Sequence, residues 1–143
     1  MSSRNEQRAG QKGRWPLPPF IRLPKYVVNH KDFSTLSGRA TKLLIDVAVQ
    51  YRGTNNGDLC APLSLMRERG WNSSDQLNKA KRELLLKGMI IVTRQGGLNK
   101  PTLFALTWLP IDDCSGKLDI RSTTKAPHLW RTLADPDYGP VRF

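Results

Sequence analysis

At Gly88 the apolar residues of this chain change their spacing. Before it they recur at helical intervals. After it, Met89-Ile90-Ile91-Val92-Thr93-Arg94 is a β-branched run of the kind that forms a strand. The loop Gln95-Gly96-Gly97-Leu98-Asn99-Lys100-Pro101 follows, and Thr102–Trp108 sets Phe104, Leu106 and Trp108 on one face of a second strand. Two strands around a Gly-rich loop read as a hairpin. The change of period therefore fixes an order, helices first and a hairpin after them.

Three helices are expected ahead of Gly88. The first takes Ser37 as its N-cap. Ala40, Leu43, Leu44, Val47, Ala48 and Tyr51 form its apolar stripe, with Arg39, Lys42, Asp46 and Gln50 off that stripe. It stops by Gly53, and Thr54-Asn55-Asn56-Gly57-Asp58 is a turn. The second begins near Pro62, sets Leu63, Leu65 and Met66 inward, and ends at Gly70 as a C-cap glycine would end it. Trp71-Asn72-Ser73 turns the chain into the third, which Ser73 or Ser74 caps. Leu77, Ala80, Leu84 and the stem of Lys81 lie on its inner side. Asp75, Asn78, Lys79, Arg82 and Glu83 lie on the outer one.

Two short helices followed by a hairpin match a winged helix-turn-helix. The expected fold class is α+β, with three helices, a two-stranded β-hairpin wing, and extended N-terminal and C-terminal tails. In such a fold the second helix of the pair has the size to enter a DNA major groove. Asn78, Lys79 and Arg82 are spaced to reach along one groove. Arginine donates two hydrogen bonds to guanine and asparagine pairs with adenine. Ser73 and Ser74, with the free N–H groups of a helix start, suit a phosphate. Arg94 and Lys100 flank the glycines of the wing loop and suit phosphate or the minor groove. Taken alone, the outer face of the third helix reads as an ordinary solvated surface, and Gly96 and Gly97 as residues that only satisfy the backbone. Their place in the order of elements favours DNA.

Charge points the same way. The 143 residues carry a formal net charge of +11. Residues 1–35 hold seven Lys/Arg against two acids, a net +5, and residues 36–111 hold eleven against five, a net +6. Residues 112–143 hold five of each. A polyanionic partner is expected for the first two regions. Residues 1–17 read as a disordered basic arm, in which Arg4, Arg8, Lys12 and Arg14 add affinity for any duplex through counterion release. Residues 18–111 are the expected domain. At and just before its start, the prolines at 16, 18, 19 and 24 favour an extended segment that lays Trp15, Phe20, Ile21 and Leu23 on a neighbour. Residues 112–143 read as an extended C-terminal tail.

Enzyme chemistry finds little footing. His30 and His128 have no carboxylate at ligand spacing, Cys60 and Cys114 form no CxxC, and neither a P-loop nor a G-x-S-x-G occurs. No catalytic residue, metal, cofactor or small-molecule substrate is expected. Both thiols are expected to be free. No apolar run approaches the roughly 20 residues that span a bilayer, and the polar N-terminus lacks the apolar core of a secretory signal. A cytoplasmic, nucleoid-associated protein is the expectation.

Several runs resemble winged-helix proteins of bacterial mobile elements. They are Phe20-Ile21-Arg22-Leu23-Pro24, Phe33-Ser34-Thr35-Leu36-Ser37, and Tyr51-Arg52-Gly53-Thr54-Asn55-Asn56-Gly57-Asp58-Leu59. The turn Gly70-Trp71-Asn72-Ser73, and Glu83-Leu84 ahead of Gly88-Met89-Ile90, belong to the same likeness. That group includes phage and plasmid replication-initiator-like domains and small helix-turn-helix regulators. The resemblance spans residues 18–111. It implies a double-stranded DNA partner with the third helix in the major groove, and a role in transcription regulation or DNA replication. A homodimer reading a palindrome is compatible with such a motif, although no heptad seam marks one. A winged-helix protein-interaction module and an RNA-binding protein stay open as alternatives.

Overall fold

The computed structural model describes residues 18–128. Arg4, Arg8, Lys12, Arg14 and Trp15 lie outside the described residues. After the Pro-rich segment, two one-turn helices, α1 (Lys25–Val28) and α2 (Lys31–Ser34), lead into α3 (Gly38–Ala48). Ile21 and Leu23 pack against the core as expected, but Phe20 is 66% exposed. Ser37 caps α3, its Oγ accepting the Ala40 N–H at 3.1 Å. The stripe Ala40, Leu43, Leu44, Val47 and Ala48 is buried.

The next helix is shorter than its pattern suggests. α4 (Leu63–Met66) is one turn, tightened into a 3-10 turn at Arg67–Arg69 and closed by Gly70 at φ 93°. Because so short a helix presents a narrow inner face, Met66 is buried while Leu65, expected inward, is 37% exposed. α5 (Ser74–Leu86) starts at Ser73, whose Oγ accepts the Gln76 N–H at 3.2 Å. Leu77, Ala80 and Leu84 are its buried residues, and they join the α3 stripe in one core with Leu59, Ile90, Phe104, Leu106 and Trp108.

The sheet corrects the expected two-stranded hairpin. It has three antiparallel strands, β1 (Leu59–Cys60), β2 (Ile90–Arg94) and β3 (Leu103–Leu106), in the order β1-β3-β2. Leu59 lies opposite Phe104, and Cys60 opposite Leu103. A two-residue strand is too short for alternation to register. Its outer edge is held by a side chain rather than a further strand. The Gln50 carboxamide donates to the Cys60 carbonyl at 2.7 Å and accepts the Cys60 N–H at 3.0 Å.

The turn before β1 is pinned from inside. Asn56 is fully buried. Its Nδ2 donates to the carbonyls of Leu106, Leu109 and Pro110 at 3.0, 3.3 and 2.8 Å, and its Oδ1 accepts the Leu106 N–H at 2.8 Å.

All four residues of β3 are buried, where one buried face was expected. Residues 112–128, which read as part of a tail, instead return to β2 and to the segment after β3. Asp119 donates its N–H to the Thr93 carbonyl at 2.8 Å, Thr123 to Ile111 at 2.9 Å, and His128 to Thr107 at 2.8 Å. Thr93 is the residue left unpaired by a bulge between Val92 and Arg94. Cys60 and Cys114 are both free. Among the described residues no helix is long and apolar enough to cross a membrane.

Candidate nucleic-acid interface

The direction of α5 is set by a buried carboxylate. Asp46, on α3, is only 3% exposed. It accepts hydrogen bonds from the Trp71 indole N–H at 2.8 Å, Lys42 Nζ at 2.7 Å and Arg69 Nε at 3.0 Å. Lys42 also donates to the Arg69 carbonyl at 2.6 Å and sits 5.4 Å from the centre of the Trp71 ring. Burial by itself would raise the Asp46 carboxyl, but the bonds from Lys42, Trp71 and Arg69, with the charge of Lys42, hold it below the usual carboxylate value. The turn between α4 and α5 is thereby fastened to α3. A second tie joins the same helices, for Glu83 Oε2 accepts the Ser37 N–H at 2.6 Å.

On that fixed helix, Asn78, Lys79 and Arg82 are all exposed. Asn78 and Arg82 stand four residues apart, about 6 Å of rise along the helix. Neither side chain has a hydrogen-bond or ion-pair partner among the described residues. Lys79 Nζ lies 3.1 Å from Asp75 Oδ2, with both side chains mostly exposed. Such an i,i+4 pair contributes about 0.3–0.5 kcal/mol, so a phosphate can displace it at little cost. Beside Arg82 an open recess of about 260 Å³ is lined by Lys79, Arg82, Glu83, Leu86 and Lys87.

The helix start is less suited to phosphate than the sequence suggests. The oxygen of Ser73 is committed to the cap, and of the two serines only Ser74 is exposed. Asp75 adds a carboxylate to the same turn. That charge suits the positive end of the helix and opposes a second anion there.

Across the hairpin, Arg94 is half-buried and turned inward. Its Nη2 donates to the Pro101 carbonyl at 3.2 Å, and its Nε is buried without a hydrogen-bond partner among the described residues. Arg94 therefore braces the base of the loop. Lys100 remains exposed at the tip. Gly97 and Lys100 exchange two backbone hydrogen bonds, each 3.1 Å, which leaves Leu98-Asn99 as a two-residue turn with Asn99 at φ 58°.

Of the residues expected to meet DNA, Ser74, Asn78, Lys79 and Arg82 are exposed on one helix and Lys100 on the loop. Ser73 and Arg94 stand behind them as framework. Asp46, Trp71 and Glu83 position α5, and none of the three is legible as such in the chain. Asp46 and Glu83 are polar residues off an apolar stripe, and their partners are distant in sequence. The larger open recess, about 530 Å³, lies among Pro18, Pro19, Phe20, Arg22, Tyr51, Arg52 and Gly53, and includes none of the expected contact residues. Among the described residues no group of three His, Cys, Asp or Glu side chains is placed to hold a metal ion. No protein-family model, curated protein or solved structure matches the chain.

Proposed function

We propose that this chain is a winged helix-turn-helix protein that binds duplex DNA in a sequence-specific manner and without catalysis. The observation that carries the reading is the order α3-β1-α4-α5-β2-β3, with the sheet arranged β1-β3-β2 and the face of α5 bearing Asn78, Lys79 and Arg82 left open. A helix fastened at its start and open along one face can dock as a rigid body in a major groove, about 12 Å wide. Arg82 and Asn78 would read base edges there, while Lys79 would meet phosphate. The wing, with Lys100, would follow the flanking backbone. The basic arm would add affinity without regard to sequence. Together with the likeness to proteins of mobile elements, this favours a role in transcription control or replication of such an element.

The test is selection of bound duplexes from a random pool, followed by titration of the enriched duplex and a scrambled one. Arg82→Ala is expected to lose about 1–3 kcal/mol on the enriched duplex and little on the scrambled one, in keeping with a bidentate base contact. Lys79→Ala is expected to weaken both alike and to flatten the salt dependence by about one phosphate contact. Absence of any enriched sequence would overturn the specific reading. Preference for structured RNA over duplex DNA would replace the partner.

A further inference from the structure

The loop tip carries a side chain that the helix contacts do not use. Leu98 is 91% exposed, the most exposed large hydrophobic residue among those described. It sits at the point of the two-residue turn, between Gly97 and Asn99. The turn is closed by the paired bonds between Gly97 and Lys100, and its base is drawn in by Arg94 on the Pro101 carbonyl and by the Gly96 N–H on Thr102 Oγ1 at 3.1 Å. An apolar side chain held out on a braced turn gains nothing from the fold itself. Full exposure of a leucine forgoes the stabilisation that burial gives.

The residues of the tip narrow what can receive it. The glycines at 96 and 97 leave one flank of the tip without side chains, so Leu98, Asn99 and Lys100 lead it. The cation among them suits the duplex DNA already proposed. Asn99 and Lys100, beside Leu98, supply a polar group for a minor-groove floor and a cation for its phosphate walls.

We propose that Leu98 is a minor-groove wedge, which enters between two base pairs and bends the duplex while α5 holds the adjoining major groove. The proposal rests on the duplex-DNA reading above. Partial unstacking at one step opens room for the side chain, and the kink turns the duplex toward the major groove. Flexible pyrimidine–purine steps at the wing position are then preferred, although no hydrogen bond reads them.

The experiment uses the full chain and the duplex enriched by selection, labelled at both ends for energy transfer. Wild type is expected to shorten the end-to-end distance on binding. Leu98→Ala is expected to lose most of that bend and to bind about tenfold more weakly or worse, as expected for exposing one leucine side chain. Lys100→Ala is expected to weaken binding while keeping the bend in the complex that forms. Leu98→Met, similar in size and apolar, is expected to restore the bend. A complex of Leu98→Ala that is as tight and as bent as wild type overturns the wedge and leaves the DNA reading standing. Failure of wild type to bind any duplex overturns both.

Discussion

The carboxylate of Asp46 and the indole N–H of Trp71 meet at 2.8 Å, although 25 residues separate them in the chain. One belongs to the scaffold helix and the other to the turn that aims the exposed helix. The aim of α5 therefore depends on a charge buried in α3. Asp46→Ala removes three hydrogen bonds at once and strands the indole N–H in the core. Lys42 and Arg69 are about half exposed and can return to water. The expected loss is about 1–3 kcal/mol, read by urea denaturation. A change below about 0.5 kcal/mol, the range of ordinary surface substitutions, would show that the turn is held by packing alone.

The same carboxylate gives an acid dependence. Its folded pKa lies below the usual value of 3.8. The unfolded chain therefore takes up a proton at Asp46 before the folded one does. The stability it contributes is complete above the unfolded value and is lost as pH falls through the lower folded value. Wild type is expected to steepen its loss of stability below about pH 4, and Asp46→Asn to lack that component. Parallel stability curves for the two proteins between pH 2 and 5 (a window set around ordinary carboxylate values) would dismiss the assignment.

Asn56 offers a sharper chemical contrast. Its two amide hydrogens face the carbonyls of Leu106, Leu109 and Pro110, while its oxygen faces the Leu106 N–H. Asn56→Asp keeps the shape but turns an oxygen toward carbonyl oxygens in a buried site. It is expected to cost about 3 kcal/mol or more, and no less than Asn56→Ala, because a buried carboxylate with one donor and one oxygen against carbonyls is worse than a small void. Thermal unfolding of the pair decides it. An aspartate variant more stable than the alanine variant would contradict the bonding described for this side chain.

Within the loop between β2 and β3, the two adjacent glycines are not equivalent. A Cβ on Gly96 would fall 2.5 Å from the Thr102 nitrogen and 2.7 Å from the Lys100 carbonyl oxygen, both backbone atoms. A Cβ on Gly97 would meet nothing within 4 Å. Gly96→Ala is thus expected to force the hairpin apart and lower stability by about 1–3 kcal/mol, as overpacking does. Gly97→Ala is expected to stay within about 0.5 kcal/mol of wild type. Amide chemical shifts of residues 94–102 report the difference directly. Equal perturbation by both substitutions would refute the close approach at Gly96.

These residues also show where the chain speaks plainly and where it does not. α3 and α5 were legible because a repeating apolar stripe and a serine cap are local signals, readable at Ser37 and Ser73. β1 was not, because two residues carry no period and its partner lies more than forty positions on. The burial of Asp46 was invisible for a related reason. A charged residue off the stripe reads as solvated until its three donors are brought together by the fold. β3 promised one buried face and has two, and the return of residues 112–128 was hidden by a composition that reads as linker. Among the expected contact residues, the sequence pattern identified which side of α5 faces out. It could not foresee that Arg94 would turn inward to Pro101.

The Gln50 carboxamide has a consequence beyond the strand it completes. By occupying both polar groups of Cys60, it removes the unpaired backbone through which an edge strand recruits another chain. At the far strand, Asp119 takes the Thr93 carbonyl and, through its Oδ2, the Gln95 N–H at 3.1 Å. Any intruding strand would first have to expel a glutamine on one side or lift a whole returning segment on the other. Both edges of the sheet are thus partly covered, which lowers the tendency of copies to pair strand to strand.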